Sequence, residues 1–310
     1  MSDHAAHNLP PAARDWAARA IGAQATIRTV VRLPGATSST LYLLTVAHHG
    51  REHRIVLRLF TLETWLAAEP DLPHHEAAAL EAARAARIAT PELIAVEPSG
   101  DICGVPMILM THVPGEINLM PDDWTGWLDG LAAAAAAIHA VAAPDFGWHY
   151  APYTDLSALD VPRWSARPAL WRRAIALVQG LDPSEPERRF IHRDFHPVNV
   201  LWQGGRPAVV DWPNACLGPA HVDLSHCRAN LAQLYGVEVA DGFLAAYQRR
   251  TGSTFEWNPV RDILGLIDMI GADAPPGVYP GWTAYGIRGL SDALIRERVE
   301  TYLAHLIARC

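Results

Sequence analysis

Three polar side chains suited to phosphate chemistry stand close together in residues 190–212, "FIHRDFHPVNVLWQGGRPAVVDW". Asp194 can take a proton from an attacking hydroxyl, while the amide oxygen of Asn199 and the carboxylate of Asp211 are hard ligands for Mg²⁺. The surrounding pattern reads as strand, tight loop, strand, turn, strand. "RFI" leads into "HRDFHPVN", "VLW" follows, then a Gly-Gly turn, then "AVVDW". This spacing predicts that the three side chains lie at the ends of adjacent strands in a hairpin-like arrangement, the equipment of a phosphoryl-transfer site.

His192-Arg193-Asp194, four residues, then Asn199 fits the protein-kinase catalytic loop H-R-D-x-x-x-x-N, and Asp211 stands where kinases carry the Asp of D-F-G. Here the tripeptide is Asp211-Trp212-Pro213. The stretch more closely resembles the aminoglycoside phosphotransferase family and its relatives (choline, homoserine, macrolide and fructosamine kinases), whose usual form is H-G-D-x-H-x-x-N with an I-D-W or I-D-F ending. His196 and Trp212 match that branch, and Arg193 is the protein-kinase-like variant. The resemblance implies an α+β, protein-kinase-like two-lobed fold. A five-stranded antiparallel N-lobe sheet with one main helix (1–112) would bind nucleotide, and a mostly helical C-lobe (113–310) would hold the catalytic and acceptor sites.

By the same resemblance ATP and Mg²⁺ are the cofactors. Asp194 is the base, Asn199 and Asp211 hold the metal, and His192 and Asp223 support the catalytic loop, Asp223 bracing its backbone. Asp223 is equally a good helix N-terminal residue after Gly-Pro. Arg58 in "IVLRLF" occupies the place of the lysine that grips the α- and β-phosphates. It can fork two N–H bonds onto phosphate or carboxylate. Its helix partner is expected to be Glu76, with Glu81 second. Gly35, Thr37 and Ser38, in "PGATSS", stand where a glycine-rich loop covers phosphates, because small side chains let backbone N–H groups approach an anion. The segment from Met110 to Val113 stands where the connector meets the adenine edge.

The remaining chain fits this division. "PPAARDWAARAIG" carries a helical period, three alternating runs between residues 25 and 60 read as antiparallel strands, and Leu72–Arg87 as a helix. "ELIAVEP" and "VPMILMTHV" add two strands. "DDWTGWLDGLAAAAAAIHAV" opens the helical part, with His139 as a core or capping histidine. Residues 144–168 are loop, followed by a helix through "ALWRRAIALVQGL". Three amphipathic helices follow Asp223's own segment, with a Pro/Gly/aromatic loop between the last two. Asp262, Asp268 and Asp273 with Tyr279 and Trp282 could present carboxylates and a stacking face to an aminated sugar, although a solvated helix face explains the same carboxylates.

Of 310 residues, 50% are hydrophobic and 19% charged, enough apolar material for two ordinary cores. All 25 basic residues besides histidine are arginine. The net charge of −8 argues against nucleic acid as a partner and suits a cationic substrate, while also serving ordinary solubility. No apolar run is long enough to span a bilayer, and "MSDHAAHNLPPAARDW" lacks the marks of a secretion signal. Cys103, Cys216, Cys227 and Cys310 form no C-x-x-C pair, so a reduced, cytoplasmic setting without a zinc site is expected.

The sequence therefore predicts an ATP-dependent O-phosphotransferase of a small hydroxylated molecule. An aminoglycoside or related antibiotic is the first choice of acceptor. A metabolite such as choline, homoserine or an amino sugar is the alternative, and a nucleotide-binding pseudokinase the competitor from another class. Protein phosphorylation is disfavoured because no D-F-G or A-P-E segment follows Asp211.

Overall fold

The structure is a computed structural model describing residues 9–34, 38–181, 188–252, 255–271 and 274–310. The chain divides into two compact units, residues 1–85 with 89–114, and residues 86–88 with 115–310.

The first unit is an antiparallel sheet of β1 (Thr26–Leu33), β2 (Thr40–His48), β3 (Arg51–Leu59), β4 (Leu93–Glu97) and β5 (Met107–Thr111), ordered β1-β2-β3-β5-β4. Its strands show the period-two burial that their sequences announce. Tyr42, Leu44 and Val46 of β2 and Ile55, Leu57 and Leu59 of β3 point to one face, where helix α1 (Pro11–Ile21) lays Ala13 and Ala17 against them. Small alanines let helix and sheet approach closely, and each fully buried leucine there contributes on the order of 2 kcal/mol. Arg58 alternates with Leu57 and Leu59 and so leaves that face for the other. Helix α3 (Leu72–Ala83) supplies Glu76 to it.

Two details depart from expectation. A short helix, α2 (Glu63–Ala68), precedes α3, and α3 ends at Ala83 instead of Arg87. There the Ala85 N–H bonds to the Ala82 carbonyl, three residues back, and tightens the last turn.

The second unit contains β6 (Glu116–Ile117), α4 (Trp124–His139), α5 (Pro168–Gln179), β7 (Arg188–Ile191), β8 (Val200–Gln203), β9 (Arg206–Val209), β10 (Cys216–Pro219), α6 (His221–Tyr235), α7 (Val237–Thr251), α8 (Pro259–Ile270), α9 (Pro280–Ala284) and α10 (Asp292–Ile307). Helix α6 is its centre, touched by α7, α8 and α10. It is buried along nearly its whole length despite carrying Asp223, Arg228, Asn230 and Gln233. These polar side chains find partners: Arg228 pairs with Asp262 and Asp241, Asp223 accepts backbone N–H groups, and the two amides donate to helix carbonyls.

The strand pairing corrects the hairpin picture. β8 and β9 do form a hairpin, turned by Gly204 and Gly205 at φ of 56° and 76°, the left-handed pair that a two-residue turn requires. β7 is not part of it. β7 pairs antiparallel with β10, whereas the hairpin extends onto β6. The reason lies in the sequence after Asp211, where "CLGP" supplies a partner strand that its glycine and proline concealed. The segment expected as a Pro/Gly/aromatic loop also contains the short helix α9.

Candidate active site

The loop between β7 and β8 carries the motif, and its backbone is pinned from three sides. Asp223, in the first turn of α6, accepts the backbone N–H of His192 at 2.9 Å and of Arg193 at 2.6 Å. The same carboxylate faces His139 Nε2 at 3.0 Å, while His139 Nδ1 meets the Tyr247 hydroxyl at 2.8 Å. His139 is thus a buried core histidine tying α4, α6 and α7 to the loop. The His192 ring is fully buried, packs on Trp212, and places Nε2 3.0 Å from the Val210 carbonyl. It therefore links the loop to the residue just before Asp211. Trp212 donates its own N–H to the Val209 carbonyl and stacks on Phe190.

This bracing holds two unfavourable backbone conformations. Arg193 (φ 67°) and Asp211 (φ 72°) lie in the left-handed region, which costs an ordinary residue of order 1–2 kcal/mol. Arg193 stands where the resembled family has glycine, the residue that adopts this conformation freely. Its side chain offers compensation: the guanidinium lies 4.1 Å over the Tyr153 ring and donates to the Ala151 carbonyl at 2.8 Å.

Asn199 Nδ2 donates to the Asp194 carbonyl at 2.9 Å and to its Oδ2 at 3.1 Å. The Val210 N–H bonds back to the Asn199 carbonyl at 3.0 Å, so Asp211 emerges beside Asn199 across the open end of the β8–β9 hairpin. The structure thus brings Asp194, Asn199 and Asp211 together in the second unit. An amide oxygen and a carboxylate are the donor types Mg²⁺ takes, and the backbone bond from Val210 to Asn199 brings the chain segments that carry them side by side.

The other oxygen of Asp194, Oδ1, faces His226 Nε2 at 3.1 Å and His196 Nε2 at 3.6 Å. Burial works to raise the Asp194 pKa, but His196 and His226 outweigh it and hold the carboxyl well below the usual range. Burial pushes His196 down to about 4, against the pull of Asp194. At neutral pH the group is a carboxylate beside a neutral His196. Sequence reasoning missed His226. The signal was its position three residues after Asp223, which puts both side chains on the face of α6 that meets the loop.

A cleft of about 250 Å³ opens beside Asp194, walled by Tyr150, Tyr153, Arg193, His226, Arg261 and Asp268. Asp268, expected at the acceptor site, is here, but its oxygens accept the backbone N–H groups of Tyr153 at 3.2 Å and Thr154 at 2.8 Å. Two other candidates are turned away. Trp282 is only 2% exposed, packed edge-on to Tyr279, so its face is not open to a substrate. Asp262 is buried against Arg228. Asp273 lies outside the described residues.

In the first unit, Arg58 Nε lies 3.3 Å from Glu76 Oε2 with both side chains at most 5% exposed. Glu81, the other candidate partner, is exposed. A permanently charged guanidinium is tolerated at such depth only beside a counter-ion. Met110 and Val113 are buried at the end of β5 and just after it. Ser38 lies before β2, its carbonyl accepting the Leu62 N–H at 3.2 Å, while Gly35 and Thr37 lie outside the described residues. Among the described residues no helix is long and apolar enough to cross a membrane.

Comparison with known proteins gives the class. Residues 29–263 match the phosphotransferase enzyme family, and the chain belongs to it. It is accordingly a small-molecule kinase with a hydroxyl group as acceptor, on the α+β fold of that family.

Among solved structures, it is similar to a Ralstonia eutropha protein assigned as an aminoglycoside phosphotransferase, at 16% identity and a TM-score of 0.65, covering 95% of this chain and 98% of that one. It is also similar to the macrolide 2'-phosphotransferase MphH of Brachybacterium faecium (19% identity, TM-score 0.57, 93% and 95% covered). A third is the aminoglycoside phosphotransferase APH(4)-Ia (15%, 0.59, 91% and 94%), of which variants were solved with ADP or AMP-PNP and hygromycin B. At these identities the likeness concerns the fold. A search of curated proteins found no match.

Proposed function

We propose that this protein transfers the γ-phosphoryl group of ATP directly to a hydroxyl of a small molecule, with Asp194 as the base. The observation that carries this reading is the placement of Asp194. Its Oδ2 is held by Asn199 at 3.1 Å, its backbone belongs to a loop fixed by Asp223, and its side chain faces the cleft. Asp194 orients the acceptor hydroxyl and takes its proton as the O–P bond forms. Its low pKa suits a loose transition state, in which the hydroxyl becomes acidic only late and a weak base suffices. Asn199 and Asp211 would hold Mg²⁺, which neutralises charge on the β- and γ-phosphates when bound. In the first unit Arg58, oriented by Glu76, would serve the nucleotide phosphates, and Ser38, Met110 and Val113 would belong to the nucleotide-binding surface. Support for ATP comes from family membership and from the ADP and AMP-PNP complexes of APH(4)-Ia.

For the acceptor, an aminoglycoside or related antibiotic is the first reading, supported by the family and by the net charge of −8. One observation favours a metabolite: Arg193 and Arg261 line the cleft beside Asp194, and the Asp268 carboxylate already accepts two backbone N–H groups. Such a cleft offers a polycation little, which favours a smaller acceptor such as homoserine. The test is a thermal-shift titration with ATP and Mg²⁺, followed by ADP release measured against aminoglycosides, macrolides, choline and homoserine. Turnover with an antibiotic supports the first reading, and turnover confined to an amino acid or amino alcohol the second. A shift without turnover across the panel indicates a nucleotide sensor, and no nucleotide-dependent shift removes the proposal.

A further inference from the structure

We propose that Asp194, His196 and His226 form a binding site for a borderline divalent cation of the Zn²⁺ type, whose occupation takes Asp194 away from the acceptor. The three donor atoms converge: Asp194 Oδ1 stands 3.1 Å from His226 Nε2 and 3.6 Å from His196 Nε2, and all three lie within 4.8 Å of one another. Ligands on one tetrahedral zinc, each about 2.0–2.1 Å from the metal, sit roughly 3.3 Å apart. Two of the three separations therefore need almost no adjustment.

The donors are also held from different directions. His226 rises from α6, buried along most of its length, and His196 belongs to the loop that Asp223 fixes. Asn199 keeps Asp194 Oδ2 engaged, which leaves Oδ1 aimed at the two imidazoles. At 3.6 Å the His196–Asp194 approach is too long for a hydrogen bond, yet close to the separation of two ligands on one tetrahedral ion. Remaining coordination positions open to the cleft, which Asp194 and His226 both line. Phosphoryl transfer as proposed makes no use of His226.

Ligand softness separates this site from the neighbouring one. Two imidazoles and a carboxylate suit Zn²⁺ or Co²⁺, whereas the oxygens of Asn199 and Asp211 suit Mg²⁺. The absence of cysteine pairs from the sequence has no bearing on such a site, because it is built from histidine. Binding of the cation stands on geometry alone. Its inhibitory effect rests on the reading of Asp194 as the base.

The experiment adds Co²⁺ to the full-length, nucleotide-free protein and follows visible d–d absorption, with Zn²⁺ as the displacing ion. The expected result is intense bands from the wild type, abolished by one equivalent of Zn²⁺, and absent from His226→Asn and from Asp194→Asn. Thermal melting shows whether each variant is folded, and either folded variant suffices. Absence of bands from the wild type, or their persistence in a folded variant, overturns the site. In the turnover assay Zn²⁺ is expected to compete with the acceptor and not with ATP, with sensitivity reduced at least about tenfold in His226→Asn. Cobalt bands without turnover on any acceptor would leave the metal site standing and remove the proposed function. Turnover indifferent to Zn²⁺ would do the reverse for the inhibitory role.

Discussion

Asp223 Oδ1 accepts the backbone N–H of Arg193 at 2.6 Å, holding in place a residue whose φ of 67° an unbraced chain would avoid. One buried carboxylate thus serves two loop amides and the His139 ring. Replacing it with alanine leaves these groups without their carboxylate partner at a fully buried position. Asp223→Ala is expected to lose about 3 kcal/mol or more, seen as a lowered denaturant midpoint, with kcat falling further than nucleotide affinity. An unchanged midpoint would show that the loop does not depend on this brace.

Arg193→Gly tests the opposite balance. Glycine relieves about 1–2 kcal/mol of left-handed strain, and the loss of the Tyr153 stack and the Ala151 hydrogen bond removes a similar amount. Stability within about 1 kcal/mol of wild type is expected by thermal or urea unfolding, with the larger change in acceptor KM because the guanidinium lines the cleft. A loss beyond about 3 kcal/mol would mean that the arginine contacts dominate.

Asp194→Ala and Asp211→Ala are each expected to abolish turnover with every acceptor. They should differ in binding: Asp211→Ala loses Mg²⁺-dependent nucleotide affinity, and Asp194→Ala keeps it. Calorimetric titration with ATP in the presence and absence of Mg²⁺ separates them, and full activity in either variant refutes the assignment.

The Arg58–Glu76 pair is buried on both sides, so removing the carboxylate takes a close counter-charge from the buried guanidinium. Glu76→Ala is expected to cost about 3–5 kcal/mol, whereas Glu81→Ala, at an exposed position, should stay within about 0.5 kcal/mol. Arg58→Lys shortens the reach and gives up the fork, and its expected signature is a raised KM for ATP. Equal costs for the two glutamates would contradict the pairing.

Burial, assisted by Arg261, pushes His221 down to about 4 from 6.5. A lowered histidine pKa means that the folded state prefers the neutral ring. Its stability is therefore complete above about pH 6.5 and declines as pH falls toward about 4, by at most about 1.4 kcal/mol per unit. Urea unfolding at several pH values in this window should show that slope in wild type. A flatter dependence is expected in His221→Gln, which retains a donor for the Glu256 carbonyl, and identical slopes would exclude His221 as the source.

Much of this protein is written locally. The alternation in "IVLRLF" assigns Arg58 to the face opposite Leu57 and Leu59, and the fixed spacing of Asp194, Asn199 and Asp211 marks the loop and hairpin that carry them. Both signals depend on neighbours in the chain, which periodicity records. Partners brought from a distance left no such record. β10 closing on β7 and His226 reaching Asp194 each join residues separated by a different element, whereas Glu76 was expected beside Arg58 only through the family resemblance. Burial reversed two expectations for the same reason: Asp262 meets Arg228 inside the helical unit, and Trp282 packs against Tyr279, because amphipathic patterns show which face turns inward and not what it meets there. The residue types were thus legible from the sequence, and the company they keep was decided by packing.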